Sequence, residues 1–180
     1  MINPVIKILY PFSGTWLDYP DNDSYSAYLS CIGCNHYCKG CHNTILHDYN
    51  LIPENLNLTI KTFTVKQLYA ELYTFCYKNN TNKLVLGGAD FLYEKNAAFT
   101  KLFIRSYGNL FDICLYTGDS IEQVKRKNIL GFTYLKTGEY QEELKQEPMK
   151  TEHYFQLAST NQKIYNSIFN LCTRDGRMYF

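Results

Sequence analysis

The chain has 180 residues, 46% of them hydrophobic and 19% charged, and a formal net charge of +1. That length and apolar content suit a single domain, residues 1–180, with a sizeable core, and exclude a disordered chain. The near-neutral charge argues against a nucleic-acid partner, and no apolar run is long enough to span a membrane.

Val5–Tyr10 and Tyr25–Cys31 read as strands, with a turn-rich stretch from Asp18 to Ser24 between them. His47 to Asn57 reads as a polar loop. Val65, Leu68, Tyr69, Leu72, Phe75 and Cys76 recur at helical spacing. Thr64 and Gln67 form a capping box before that helix, and Lys78 and Asn79-Asn80 close it. Lys83–Leu86 is a short strand ending in Gly87-Gly88, Ala98 to Arg105 a helix, and Phe111–Tyr116 a strand ending in Thr117-Gly118. A second capping box, Ser120 with Gln123, opens a helix whose C-terminus carries Lys125-Arg126-Lys127. Phe132–Leu135 is the next strand, and Gln141 to His153 reads as a solvated loop, with a lid or a partner-binding insertion as alternatives.

Strands alternating with helices predict βα units and a parallel sheet. The cysteine loop discussed next, Gly87-Gly88, Thr117-Gly118 and Lys136-Thr137 all follow predicted strand ends, the edge where such folds build sites. A full eight-unit barrel takes about 250 residues. The expected fold class is therefore α/β, an open partial (β/α) barrel with a mostly parallel sheet.

Cys34-Asn-His-Tyr-Cys38-Lys-Gly-Cys41 places three thiols on one loop at C-x3-C-x2-C spacing. Cubane iron–sulfur clusters normally take four cysteines, so three leave one iron open to a small molecule, as a catalytic zinc keeps a position open. Cys31-x2-Cys34 and Cys38-x2-Cys41 also read as two cramped zinc knuckles. Under the cluster reading Cys31 is a buried packing residue, and His36 and His42 are surface groups or hydrogen-bonding neighbours of the cluster. Seven cysteines without a secretory signal fit a reducing compartment, so a cytoplasmic location is expected.

The loop resembles the signature of radical S-adenosylmethionine enzymes. Its extended form, Gly33-Cys34-x3-Cys38-Lys-Gly-Cys41-His-Asn43, is similar to activating proteins of glycyl-radical enzymes, in particular those of the anaerobic (class III) ribonucleotide reductase. Leu86-Gly87-Gly88-Ala89-Asp90 resembles that family's glycine-glycine-acid motif, with Ala89 where the acid usually stands and Asp90 one step later. Leu115 to Gly118, Tyr134 to Tyr140 and Leu157 to Gln162 resemble its later segments, so the likeness runs from about Ser30 to Tyr165.

The resemblance implies that Cys34, Cys38 and Cys41 hold a [4Fe-4S] cluster whose open iron is chelated by S-adenosylmethionine. Reductive cleavage would then place a radical on a glycine of the reductase large subunit, with a one-electron donor such as a flavodoxin. The implied cofactor-binding residues are Gly87, Gly88, Ala89 and Asp90, with Thr117, Lys136 and Asn161 as further polar candidates. Without side chains, Gly87 and Gly88 let the backbone approach the cofactor. Gly88→Val is accordingly expected to block the cofactor while the cluster loop keeps its iron. A radical enzyme acting on a small metabolite and a zinc-binding interaction module are the alternatives.

Overall fold

The computed structural model describes residues 3–21, 24–52, 58–147, 149–151 and 153–180. Residues 22–23 of the Asp18–Ser24 turn, 53–57 of the polar loop, and 148 and 152 of the charged segment lie outside the described residues.

An open eight-stranded sheet organises the chain. Four strands at its centre run parallel: β3 (Ser26–Cys31), β5 (Lys83–Gly88), β6 (Asp112–Tyr116) and β7 (Tyr134–Thr137). Both margins are antiparallel. On one side β1 (Val5–Leu9) and β4 (Ile60–Thr64) follow β3, which also pairs with the short β2 (Ser13–Thr15). On the other, β9 (Lys163–Asn166) pairs with β7. The parallel expectation therefore holds for the four central strands, and the sheet does not close. A separate three-stranded sheet joins β8 (Tyr154–Gln156), β10 (Thr173–Arg174) and β11 (Arg177–Tyr179).

Three helices connect the parallel strands. In α1 (Val65–Lys78) the predicted stripe buries Leu68, Leu72 and Cys76, and both halves of the Thr64–Gln67 capping box form. The helix α3 (Ile121–Lys127) has its Ser120–Gln123 box and the three cations in its last turn. The helix α2 (Glu94–Tyr107) begins four residues before the predicted start. Two inward positions of its first half are polar: Asn96 and Thr100 are buried and hydrogen-bonded to backbone carbonyls. Those polar residues interrupt the apolar period that marks a helix in sequence.

Strand alternation separates two faces. Leu29, Cys31, Leu84, Leu86, Ile113, Leu115 and Leu135 join Leu68, Leu72, Phe99 and Phe103 in the main core. The opposite face carries Val85 and Cys114 with Tyr28, Tyr116 and Tyr134, packed on Tyr19 from the loop after β2. Among the described residues no helix is long and apolar enough to cross a membrane.

Candidate functional site

A cavity of about 300 Å³ opens over that aromatic face, at the C-terminal ends of the parallel strands. Cys34, Cys38 and Cys41 line it together with Gly88, Ala89 and Asp90, Thr117 and Gly118, and Lys136. Cys31 does not; it is the last residue of β3, fully buried in the core. All three lining cysteines are free thiols, and burial pushes the Cys34 thiol up to about 11. Tyr37 (φ +51°) and Gly40 (φ +76°) supply the left-handed turns that fold the loop back on itself.

The segment after β5 anchors this loop along its length. Ala89 N–H donates to the Cys31 carbonyl at 3.2 Å and Asp90 N–H to the Gly33 carbonyl at 3.1 Å, fixing the chain that enters Cys34. Asn43 Nδ2 donates to the Gly88 carbonyl at 3.1 Å, fixing the chain that leaves Cys41, and the Asn43 N–H points at Cys41 Sγ from 3.4 Å. Asn96 Nδ2 holds the Ile32 and Asp90 carbonyls, each at 2.9 Å.

Asp90 is buried, and its carboxylate accepts from Leu92 N–H (2.7 Å), Thr117 Oγ1 (2.9 Å) and Gly118 N–H (3.1 Å). His36 Nε2 lies 2.9 Å from the same carboxylate, while Nδ1 lies 2.9 Å from Glu139 Oε1. The Asp90 carboxylate beside it raises the imidazole to about 9, against the opposing effect of burial.

The glycine pair is explained by neighbours within the chain. A Cβ on Gly87 would meet Tyr28 Oη at 2.5 Å, and one on Gly88 (φ +82°) would meet Ser30 Cα at 2.6 Å. Tyr28 Oη also accepts the Gly88 N–H at 3.1 Å. Gly88 thus lines the cavity, but β3 and Tyr28 account for the missing side chains; the expected close approach of a cofactor is not needed to explain them.

Lys136 lies within β7, not beyond it, and lines the cavity floor. Its ammonium sits 4.9 Å over the Tyr116 ring and makes no ion pair among the described residues. Burial lowers it to about 8, although thiolates at Cys114 and Cys38 and the Asp90 carboxylate would each favour its charged form. Asn161 stands outside the cavity, where its Nδ2 holds the Glu139 carbonyl at 2.8 Å; Gln162 lines the cavity in its place.

The charged segment is not a plain solvated loop. Met149 and Lys150 line the cavity, as do Phe155 to Ala158 along and after β8. Lys150 Nζ reaches the Trp16 carbonyl at 3.0 Å and pairs with Asp21 at 3.6 Å.

Three thiols converging on one cavity fit a cluster bound through three cysteines. A lysine without a carboxylate partner fits an anionic group beside it. A family described as 4Fe-4S single cluster domain matches residues 25–165. Among solved structures the chain is similar to QueE from Escherichia coli, at 14% identity and a TM-score of 0.38. That alignment covers 63% of this chain and 53% of the other, so the chain spans about half the length of that protein. No curated protein matches.

Proposed function

The chain belongs to the 4Fe-4S single cluster domain family, and from that premise we propose that it is a radical S-adenosylmethionine enzyme that activates a glycyl-radical protein, the large subunit of the anaerobic ribonucleotide reductase. The carrying observation is the convergence of Cys34, Cys38 and Cys41 on one cavity at the ends of the parallel strands. These three thiolates would hold the cluster and leave one iron free for the amino and carboxylate groups of S-adenosylmethionine. The family's cluster displaces the zinc alternative. Held by Cys34, Cys38 and Cys41, such a cluster would supply one-electron reductive cleavage of a carbon–sulfur bond of S-adenosylmethionine, with methionine as the leaving group and hydrogen-atom abstraction from the substrate as the outcome.

The chain's own residues provide the setting. Tyr28 and Tyr116 wall the cavity, and Lys136 offers a cation to the cofactor's carboxylate. Met149 and the Phe155–Ala158 segment line the same space. The modest cavity volume, about 300 Å³, favours a second reading in which the substrate is a small metabolite.

One experiment separates the two. Reduced protein, S-adenosylmethionine, a flavodoxin-type donor and the reductase are expected to yield a glycyl radical in electron paramagnetic resonance. The signal disappears when the partner's radical-bearing glycine is replaced by alanine. Cofactor cleavage without a radical on the reductase would overturn the activator reading in favour of the metabolite.

Lys136 carries a separate prediction. A lysine whose folded pKa is lowered destabilises the fold below about 8, and this cost fades as pH rises toward the ordinary lysine range. Lys136→Met is therefore expected to stabilise the apo-protein by roughly 1–3 kcal/mol at pH 7, with a smaller gain at pH 10. Affinity of the reconstituted protein for S-adenosylmethionine should fall about tenfold or more, from loss of a charge-assisted contact. Denaturant melts and calorimetry check the two arms.

A further inference from the structure

The side chain joined to the most strands at this site is one the cluster does not require. His36 sits in the middle of the C-x3-C segment, and its ring bridges the chain beyond three consecutive parallel strands. Asp90 follows β5, Gly118 and Asp119 follow β6, and Glu139 follows β7. Nε2 lies 2.9 Å from Asp90 Oδ2 and 3.6 Å from Asp119 Oδ1, and Nδ1 lies 2.9 Å from Glu139 Oε1.

The surroundings are shaped to this ring. A Cβ on Gly118 would come within 2.4 Å of His36 Cδ2, so the imidazole lies directly on glycine backbone. Gly118 is not among the glycines with positive φ, so space, not backbone conformation, is what an alanine there would violate. The acceptors are themselves fixed. Thr117 Oγ1 and the Gly118 N–H bond the same Asp90 oxygen that faces His36, and Asp119 pairs with Lys127. Asn161 Nδ2 secures the backbone carbonyl of Glu139.

We infer that His36 is a positioning residue: it clamps the middle of the cysteine loop to the ends of β5, β6 and β7, and so presets the loop that carries Cys34, Cys38 and Cys41 before a cluster is bound. The same arrangement gives Asp90 a role as the anchor of that clamp. The inference rests on the cysteine site alone and is independent of which substrate the enzyme takes.

The test uses the full chain, first without metal and then after anaerobic reconstitution. In apo-protein, His36→Ala should raise hydrogen exchange at the Cys34 and Cys41 amides about tenfold or more; these amides are bonded to the His47 and Cys38 carbonyls in the native loop. Thermal unfolding should remain cooperative. His36→Gln, which keeps one amide donor for Asp90, should recover part of the protection. Gly118→Ala should reproduce the His36→Ala loss by pushing the ring out from the other side. Because both changes remove one interaction, the double variant should lose no more than Gly118→Ala alone.

After reconstitution, His36→Ala should shift the reduction potential and g-values of the cluster, which a remote packing defect would leave unchanged. Unaltered amide exchange and cluster spectra in His36→Ala would overturn the inference. So would losses in the double variant that simply add. The exchange arm needs no cofactor or partner, so a failure of the activator reading leaves it standing.

Discussion

Alanine at any one of Cys34, Cys38 or Cys41 is expected to reduce iron from about four per chain to near zero after anaerobic reconstitution. Cys31→Ala should retain the full complement. The four residues lie within eleven positions of sequence, yet chain direction separates them. Cys31 completes β3 with its side chain in the core beneath the sheet, whereas the loop beyond Gly33 carries the other three to the cavity. Losing the Cys31 thiol removes a small buried group, a cost of about 1 kcal/mol that denaturant melts would register. Assembly should also be faster at higher pH, because metal binding must displace the proton that burial holds on Cys34 up to about 11. Comparable iron loss in Cys31→Ala would mean that a different set of thiols binds the metal.

Much of this site was legible because its signals are local. The C-x3-C-x2-C spacing, the two capping boxes and the α1 stripe each lie within a few residues, and each recurs in the structure. Less legible was anything decided by residues far apart in sequence. The Lys136 ammonium and the Asp90 carboxylate have neighbours that only the sheet brings together. Asn96 lies before the helix expected from Ala98, yet it is buried inside α2 and supports both the chain leading to Cys34 and the Asp90 turn. The strands β8, β10 and β11 span two or three residues each, too few for an alternating pattern to register. The strand β4 hid for a related reason: of Ile60 to Thr64 only Phe63 is buried, as befits a strand at the edge of the sheet.

Gly88→Val is expected to lose iron as well as cofactor, which reverses what the sequence alone suggests. Valine must adopt φ near +82°, a region that β-branched residues avoid. Its Cβ would also stand 2.6 Å from Ser30 Cα and 2.7 Å from Ser30 Cβ, so backbone has to move. The strain and overpacking together amount to roughly 2–5 kcal/mol. Movement here reaches the cluster loop directly, because the Gly88 carbonyl holds Asn43 and the next two amides hold the Cys31 and Gly33 carbonyls. The melting temperature and the iron content of the variant should therefore fall together. Tyr28→Phe/Gly87→Ala provides the contrast. Removing the Tyr28 hydroxyl relieves the closest contact, 2.5 Å, that an alanine Cβ at position 87 would make; the ring must still give slightly at Cζ, 2.9 Å away, and the Gly88 N–H loses one acceptor, but no side chain is forced onto the left-handed Gly88 backbone. That double variant should keep its iron. Full iron in Gly88→Val with normal stability would show that the segment after β5 does not anchor the loop, and the cofactor-contact explanation of the glycine pair would return.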